Sequence, residues 1–349
     1  MPGGSATAAV PPGELAGRAP SPRLPRLGFL GLGWIGVHRL RRLAESGKVE
    51  VAALADARAD ALREAARHAP EATAVASLDE LLELRLDGLV VATPSALHAN
   101  QAVAALKRGL AVFCQKPLGR TAAEVASVVA AARRADRLLG VDLSYRELEG
   151  VRRIRDLVRS GELGRVYSID LTFHNAYGPD KPWFYDVGLS GGGCVMDLGV
   201  HLVDLALWTL EFPRVDSVTS RLFARGRPLP RAPRVVEDHA IARLDLASGA
   251  AVRITCSWGA AAGGDAVIEA WFYGTAGGAA LRNVGGSFYD FVAERFRGTA
   301  RETLAEPPDQ WGGRAAVGWA DALRRGSGYD PAADRLVEVA SVLDRIYGR

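Results

Sequence analysis

The sequence predicts an α/β protein: an N-terminal parallel sheet wound with helices, then a C-terminal α+β domain with an open, mostly antiparallel sheet. Three observations predict it. From Arg26 to Leu143, short apolar strands alternate with helical patterns across short connections. A glycine motif, GLGWIG at residues 31–36, sits at the first strand-to-helix junction. From Val166 the pattern changes to longer alternating strands parted by turns such as Ser248-Gly249 and Gly263-Gly264.

The chain has 349 residues, 48% of them hydrophobic, enough for two domains. Its net charge of +3 is dispersed, so a nucleic-acid role is not indicated. No run approaches the ~20 apolar residues of a membrane helix. Residues 1–25 lack a basic stretch followed by an apolar core and are rich in Pro, Gly, Ala and Ser, which predicts a disordered tail rather than a secretory signal. Cys114, Cys194 and Cys256 form no CxxC pair, which points to free thiols in a reducing, cytoplasmic compartment.

The strand Arg26 to Leu30 runs into Gly31, Gly33 and Gly36, and a helix follows. This is the Rossmann fingerprint: Gly31 permits the turn, Gly33 clears space for a pyrophosphate, and Gly36 lets helix and strand pack closely. Trp34 and Ile35 lie between those glycines and count as cofactor contacts. The next strand, from Val49, ends in Asp56, where an acid binds adenosine ribose hydroxyls. Asp56 disfavours a 2′-phosphate, so NAD is expected; Ala57 and Arg58 lie beside it, and Arg58 keeps NADP possible.

A helix follows from Ala59 to Ala69, then a strand near Thr73 to Ala76, and Ser77 with Glu80 makes a capping box. The strand Leu89 to Ala92 ends in Thr93-Pro94, a loop expected to face the cofactor. His98 opens the next helix, either as a partly exposed capping residue or as a cofactor contact. The strand Ala111 to Cys114 ends in Gln115-Lys116-Pro117. Ligands bind beyond the carboxyl ends of such strands, so Lys116 faces the same crevice as the glycine loop. Lysines are scarce here (Lys48, Lys107, Lys116, Lys181), and lysine, unlike arginine, has a tunable pKa. A helix Thr121 to Ala135 and a strand near Leu138 to Leu143 complete this half, and an amphipathic helix Gly150 to Arg159 follows. The expected division is 26–145 for the nucleotide domain and 146–349 for the second.

In the second half, strands are expected at Val166 to Phe173, His239 to Leu246, Ala251 to Trp258 and Ala266 to Tyr273, with an exposed loop over Arg221 to Arg234. Between them stands SGGGCVMDLGVHLVD, residues 190–204. Gly191 to Gly193 let the backbone approach a ligand without a Cβ in the way. The apolar spacing that follows predicts a helix with Asp197 and His201 one turn apart on one face, joined by Asp204. A carboxylate beside an imidazole is an acid/base arrangement. Metal binding through Asp197, His201 and Asp204 is disfavoured by the single histidine and the nearby lysine.

Taken together, GLGWIG, Asp56, Thr93-Pro94 with His98, Gln115-Lys116-Pro117, Gly161-Glu162-Leu163-Gly164 and GGGCVMDLGVH resemble the Gfo/Idh/MocA oxidoreductases. The resemblance implies a Rossmann domain and a substrate domain whose open sheet makes a homodimer or homotetramer. It implies Lys116, Asp197 and His201 as the catalytic group of an NAD(P)-dependent dehydrogenase of a sugar, cyclitol or derivative. His201 is then the expected base, oriented by Asp197, with Lys116 holding the reacting oxygen; Lys116 as base is the alternative. The family usually has glutamate where this chain has Gln115. By matching position Tyr145, Arg146, His174 and Asn175 line the substrate pocket, and Tyr177, Trp183 and Tyr185 supply aromatic surface suited to a polyol. A non-catalytic dinucleotide sensor on the same fold is the other reading.

Overall fold

The computed structural model of the protein describes residues 23–349. The expected disordered tail, residues 1–25, lies outside the described residues except at its end, where Arg23 pairs with Asp87 at 2.9 Å.

The first domain is a six-stranded parallel sheet: β1 (Arg26–Leu30), β2 (Glu50–Ala55), β3 (Thr73–Val75), β4 (Gly88–Val91), β5 (Ala111–Cys114) and β6 (Leu139–Val141). Their order is β3-β2-β1-β4-β5-β6. Strands β4 and β5 are apolar and buried on both faces, as a sheet covered by helices on each side requires. The covering helices are α1 (Trp34–Glu45), α2 (Ala59–Ala66), α3 (Leu78–Glu83), α4 (Ser95–Lys107) and α5 (Ala122–Ala135). Ser77 caps α3 by accepting from the Glu80 N–H at 3.2 Å. The strand order reverses between β1 and β4, which opens a crevice at their carboxyl ends.

After α6 (Glu149–Arg159) comes a nine-stranded sheet. Its strands are β7 (Val166–Asn175), β8 (Val215–Ala224), β9 (Arg227–Pro228), β10 (His239–Leu246), β11 (Ala251–Ser257), β12 (Ala266–Gly274), β13 (Gly278–Asn283), β14 (Phe291–Arg297) and β15 (Ala300–Ala305). Only β7 and β11 pair in parallel; the other ladders are antiparallel. Ile169, Leu171 and Phe173 face the core, while Asp170, Thr172 and His174 alternate onto the open face. The short helix α7 (Val187–Ser190) leads to a π-helical turn, Val195–Gly199, and to α8 (Val200–Thr209). Helix α8 is apolar almost all round and correspondingly buried.

Two expectations need correction. The segment Arg221 to Arg234 is not all loop: β8 continues to Ala224 and folds back on β9, because β10 offers it a full ladder and Leu222 a place in the core. The boundary near residue 146 separates the two sheets, but the chain past residue 314 packs on both. Helix α9 (Arg314–Arg324) returns to the first sheet. There Trp319 fills the space over Gly88 and Gly140, where a Cβ would come within 2.8 and 2.7 Å of the indole. Helix α10 (Arg335–Tyr347) supplies Ala340 to one core and Val339, Val342, Leu343 and Ile346 to the other.

Candidate active site

The glycine loop fits a dinucleotide. Gly31 has φ of 90°, and a Cβ there would meet the Ala92 backbone at 2.5 Å. A Cβ on Gly36 would strike the Gly31 carbonyl oxygen at 2.1 Å. Around Gly33 nothing lies within 4 Å of that position, so the space beside the start of α1 is open to a pyrophosphate. The Asp56 carboxylate accepts from the backbone N–H groups of Leu32 at 2.6 Å and Arg58 at 2.8 Å, which ties it to the loop. Trp34 is 70% exposed at the head of α1, and Ile35 is half-buried beside it. Ala57 and Arg58 are exposed. Thr93 donates to Gln101 at 2.6 Å, and Pro94 precedes α4.

Lys116 lies just past the end of β5, and its bond to Pro117 is cis. Its ammonium donates to the Asp197 carboxylate and to the Asp197 carbonyl, each at 2.7 Å. The other carboxylate oxygen of Asp197 accepts from the Trp258 indole N–H at 3.0 Å. The Lys116 and Asp197 side chains remain 20% and 18% exposed. For a pair this far buried the cost of desolvation offsets much of the attraction, so the pairing is weak evidence for a stabilising role.

Asp197 does not orient His201. Residues Val195–Gly199 form a π-helical turn, wider than an α-turn, so residues four apart do not lie directly over one another. The carboxylate is also taken by Lys116 and Trp258. His201 is buried, and its Nδ1 has no hydrogen-bond partner among the described residues. Tyr145, itself buried, places its ring 4.8 Å from the imidazole. Burial, then the charges of Lys116 and Arg39, push the His201 pKa well below its usual range, so the ring is neutral near pH 7.

The glycine run makes room for protein, not ligand. A Cβ on Gly193 would lie 1.9 Å from the Glu237 carbonyl, and one on Gly192 2.0 Å from the Tyr347 hydroxyl. Glu237 is fully buried; its carboxylate accepts from Gly193 at 3.0 Å, Val195 at 2.9 Å and the Tyr347 hydroxyl at 2.7 Å. It anchors the turn that carries Asp197. Sequence reasoning missed Glu237, Tyr347 and Trp258, which lie far from the motif in the chain; an acid just before an apolar strand was the one available signal.

Other expected contacts separate. His98 is buried, not partly exposed: its ring nitrogens lie 2.7 and 2.6 Å from the Pro117 and Thr93 carbonyls. It links the two loops that flank the crevice. Arg146 donates to the buried carboxylate of Asp204 at 2.7 Å. His174 faces the open side of the sheet, bonded to Ser257 at 2.7 Å and stacked 5.9 Å from His239. Asn175 accepts from the Tyr177 N–H, and the Tyr177 hydroxyl donates to Asp265 at 2.6 Å. Trp183 stacks on Phe184, and Phe184 and Tyr185 set their rings against Trp258, next to Asp197.

Gln115 is buried and donates to Asp142 at 2.6 Å; the same carboxylate oxygen accepts from Arg39 at 2.5 Å. The anion that the family usually carries at position 115 thus has a counterpart just past the end of the neighbouring strand.

Residues 26–143 match the family model described as an oxidoreductase family with NAD-binding Rossmann fold, and residues 151–280 match the GFO/IDH/MocA C-terminal domain. The putative UDP-kanosamine synthase oxidoreductase subunit of Amycolatopsis mediterranei is 33% identical across 67% of this chain and 68% of its own length. The chain belongs to the Gfo/Idh/MocA oxidoreductase family. Its first domain is therefore an NAD-binding domain. The rhizopine catabolism protein MocA of Rhizobium meliloti is 32% identical, with 52% of this chain and 56% of that protein aligned. With such relatives the chain spans about half of their length. The fold matches levoglucosan dehydrogenase solved with NADH, with a TM-score of 0.79 at 21% identity over 93% of this chain and 96% of that one.

Two outcomes follow from the buried groups. Gln115→Glu sets a second carboxylate against Asp142 and should lower the urea midpoint, with recovery in Gln115→Glu/Asp142→Asn. Below pH 6.5 the unfolded chain takes up a proton that His201 refuses, so stability should fall as pH drops from 6.5 toward the depressed folded pKa and stay level above it. Urea melts of wild type and His201→Asn across that window should show a shallower slope in the variant.

Proposed function

We propose that this protein is an NAD-dependent dehydrogenase or reductase acting on a secondary alcohol or ketone of a sugar, cyclitol or sugar derivative. The observation that carries the reading is the meeting of Lys116, from the nucleotide-binding sheet, with Asp197 from the second domain. The similarity to a UDP-kanosamine synthase subunit supports a sugar-like substrate. The exposed Arg58 beside Asp56 leaves NADP as a second cofactor.

The glycine loop and Asp56 would hold the dinucleotide, which would supply hydride transfer to and from the substrate carbon. An ammonium has three N–H donors, and Lys116 uses two of its own on Asp197. The third hydrogen-bonds the substrate oxygen and stabilises the negative charge that builds there as the carbinol loses its proton. Neutral His201 takes that proton in oxidation. In reduction its imidazolium, made strongly acidic by burial and by Lys116, gives the proton back. Trp258 and Lys116 together fix the Asp197 carboxylate. Phe184 and Tyr185 add flat apolar surface suited to the C–H face of a sugar ring.

The open face of the nine-stranded sheet, where Ile241 and Tyr273 are exposed, is the proposed homodimer or homotetramer surface. Three free cysteines suit a reducing cytoplasm.

A panel of sugars, inositols and sugar acids with NAD+ and NADP+ should reveal turnover by NADH absorbance. Lys116→Ala should cut kcat at least ~100-fold and still bind NADH; full activity in that variant would overturn the reading. Light scattering should give a dimer or tetramer mass for wild type and a smaller mass for Ile241→Arg.

A further inference from the structure

The end of α10 touches both halves of the site. The Arg349 guanidinium donates to the Arg120 carbonyl at 2.6 Å and to the Gly191 carbonyl at 3.1 Å. Arg120 lies in the loop that follows Lys116; Gly191 opens the glycine run that precedes Asp197. One side chain therefore joins the loop that carries the amine to the segment that carries the carboxylate. The guanidinium is itself aimed from two sides: its Nε donates to Asp344 at 2.9 Å, and it lies over the Tyr347 ring at 4.7 Å. Asp344 also accepts from the Ala122 N–H at 2.8 Å, at the start of α5. Tyr347 reaches the Glu237 anchor. In parallel, Arg120 donates to the Gly188 carbonyl.

We propose that Arg349 is a positioning residue, a strap that holds the Lys116 loop and the glycine run in the register at which the amine meets Asp197. The role rests on the dehydrogenase reading above. Docking of α10 does not need it, because Val342, Leu343 and Ile346 are already buried in the core. What the guanidinium adds is a planar fork that spans two carbonyls from different domains, which a lysine ammonium on its flexible stem does not reproduce. Its side chain is 28% exposed and that of Asp344 is 17%, so the contacts are partly shielded from water. Small displacements of reacting groups are costly: a shift of about 1 Å lowers rates on the order of 100-fold.

The test compares Arg349→Ala and Arg349→Lys with wild type in the full chain. Hydrogen–deuterium exchange is followed in peptides covering residues 117–122 and 188–194, beside NADH titration, thermal melting, and kcat and KM on whichever panel substrate wild type turns over. The expected result is faster exchange in both loops of Arg349→Ala, NADH affinity within about twofold of wild type, and kcat at least ~10-fold lower with KM little changed. Arg349→Lys should fall between the two, and added guanidinium ion at low millimolar concentration should return part of the lost kcat to Arg349→Ala. Unchanged exchange in both loops of the two variants overturns the strap, as does faster exchange with unchanged kcat. A uniform loss of protection across the chain with a lowered melting temperature in both variants also overturns it, since Arg349 would then serve stability alone. If wild type turns over nothing in the panel, the dehydrogenase reading fails there, and the exchange and NADH arms still decide the strap.

Discussion

The contact between Lys116 and Asp197 is the constraint that the rest of the molecule serves. An amine at the end of a parallel strand and a carboxylate on a π-helical turn come from different domains, yet they meet at 2.7 Å. Mostly shielded from water, the pair loses much of its attraction to desolvation. Its value lies in geometry: the carboxylate and the backbone carbonyl of Asp197 each take one of the three ammonium N–H groups, and in the proposed reaction the third is left for a substrate oxygen.

Much of the second domain can be understood as support for that geometry. Glu237 spends a buried charge on the backbone of Gly193 and Val195 and on the Tyr347 hydroxyl. Burial raises its pKa, while the three donors around it favour the ionised form. Gly192 and Gly193 are needed because Glu237 and Tyr347 occupy the space that a Cβ would take. Trp258 holds the far oxygen of Asp197, and the aromatic loop of residues 183–185 shields the indole. On the nucleotide side His98 ties the Thr93 and Pro117 carbonyls together beneath the crevice.

Electrostatics divides the labour between the two candidate proton carriers. Lys116 has an anion against it; His201 has none, and lies in an apolar, aromatic wall with cations as its nearest charges. A carboxylate beside the imidazole would have favoured the imidazolium. With that carboxylate turned to Lys116, the imidazole stays neutral and able to accept a proton.

The sequence by itself determined the elements whose signals are local. Periodicity placed β1 to β6 and the glycine motif, since β1, β2, β4 and β5 are apolar runs buried along most of their length and each glycine answers to its own turn or neighbouring strand. Lys116 stands out by its place at a strand end, and Asp197 and His201 by their helical spacing. Tertiary structure alone decided which groups touch. The i, i+4 spacing suggested an Asp197–His201 pair, but the π-turn and the arrival of Lys116 and Trp258 from distant strands redirected the carboxylate. Glu237, Tyr347 and Arg349 carry no local signal, and the glycine run reads locally as a ligand cradle, for the same reason. Each depends on a neighbour remote in the chain, and sequence spacing carries no record of which remote backbone will need a hydrogen-bond partner.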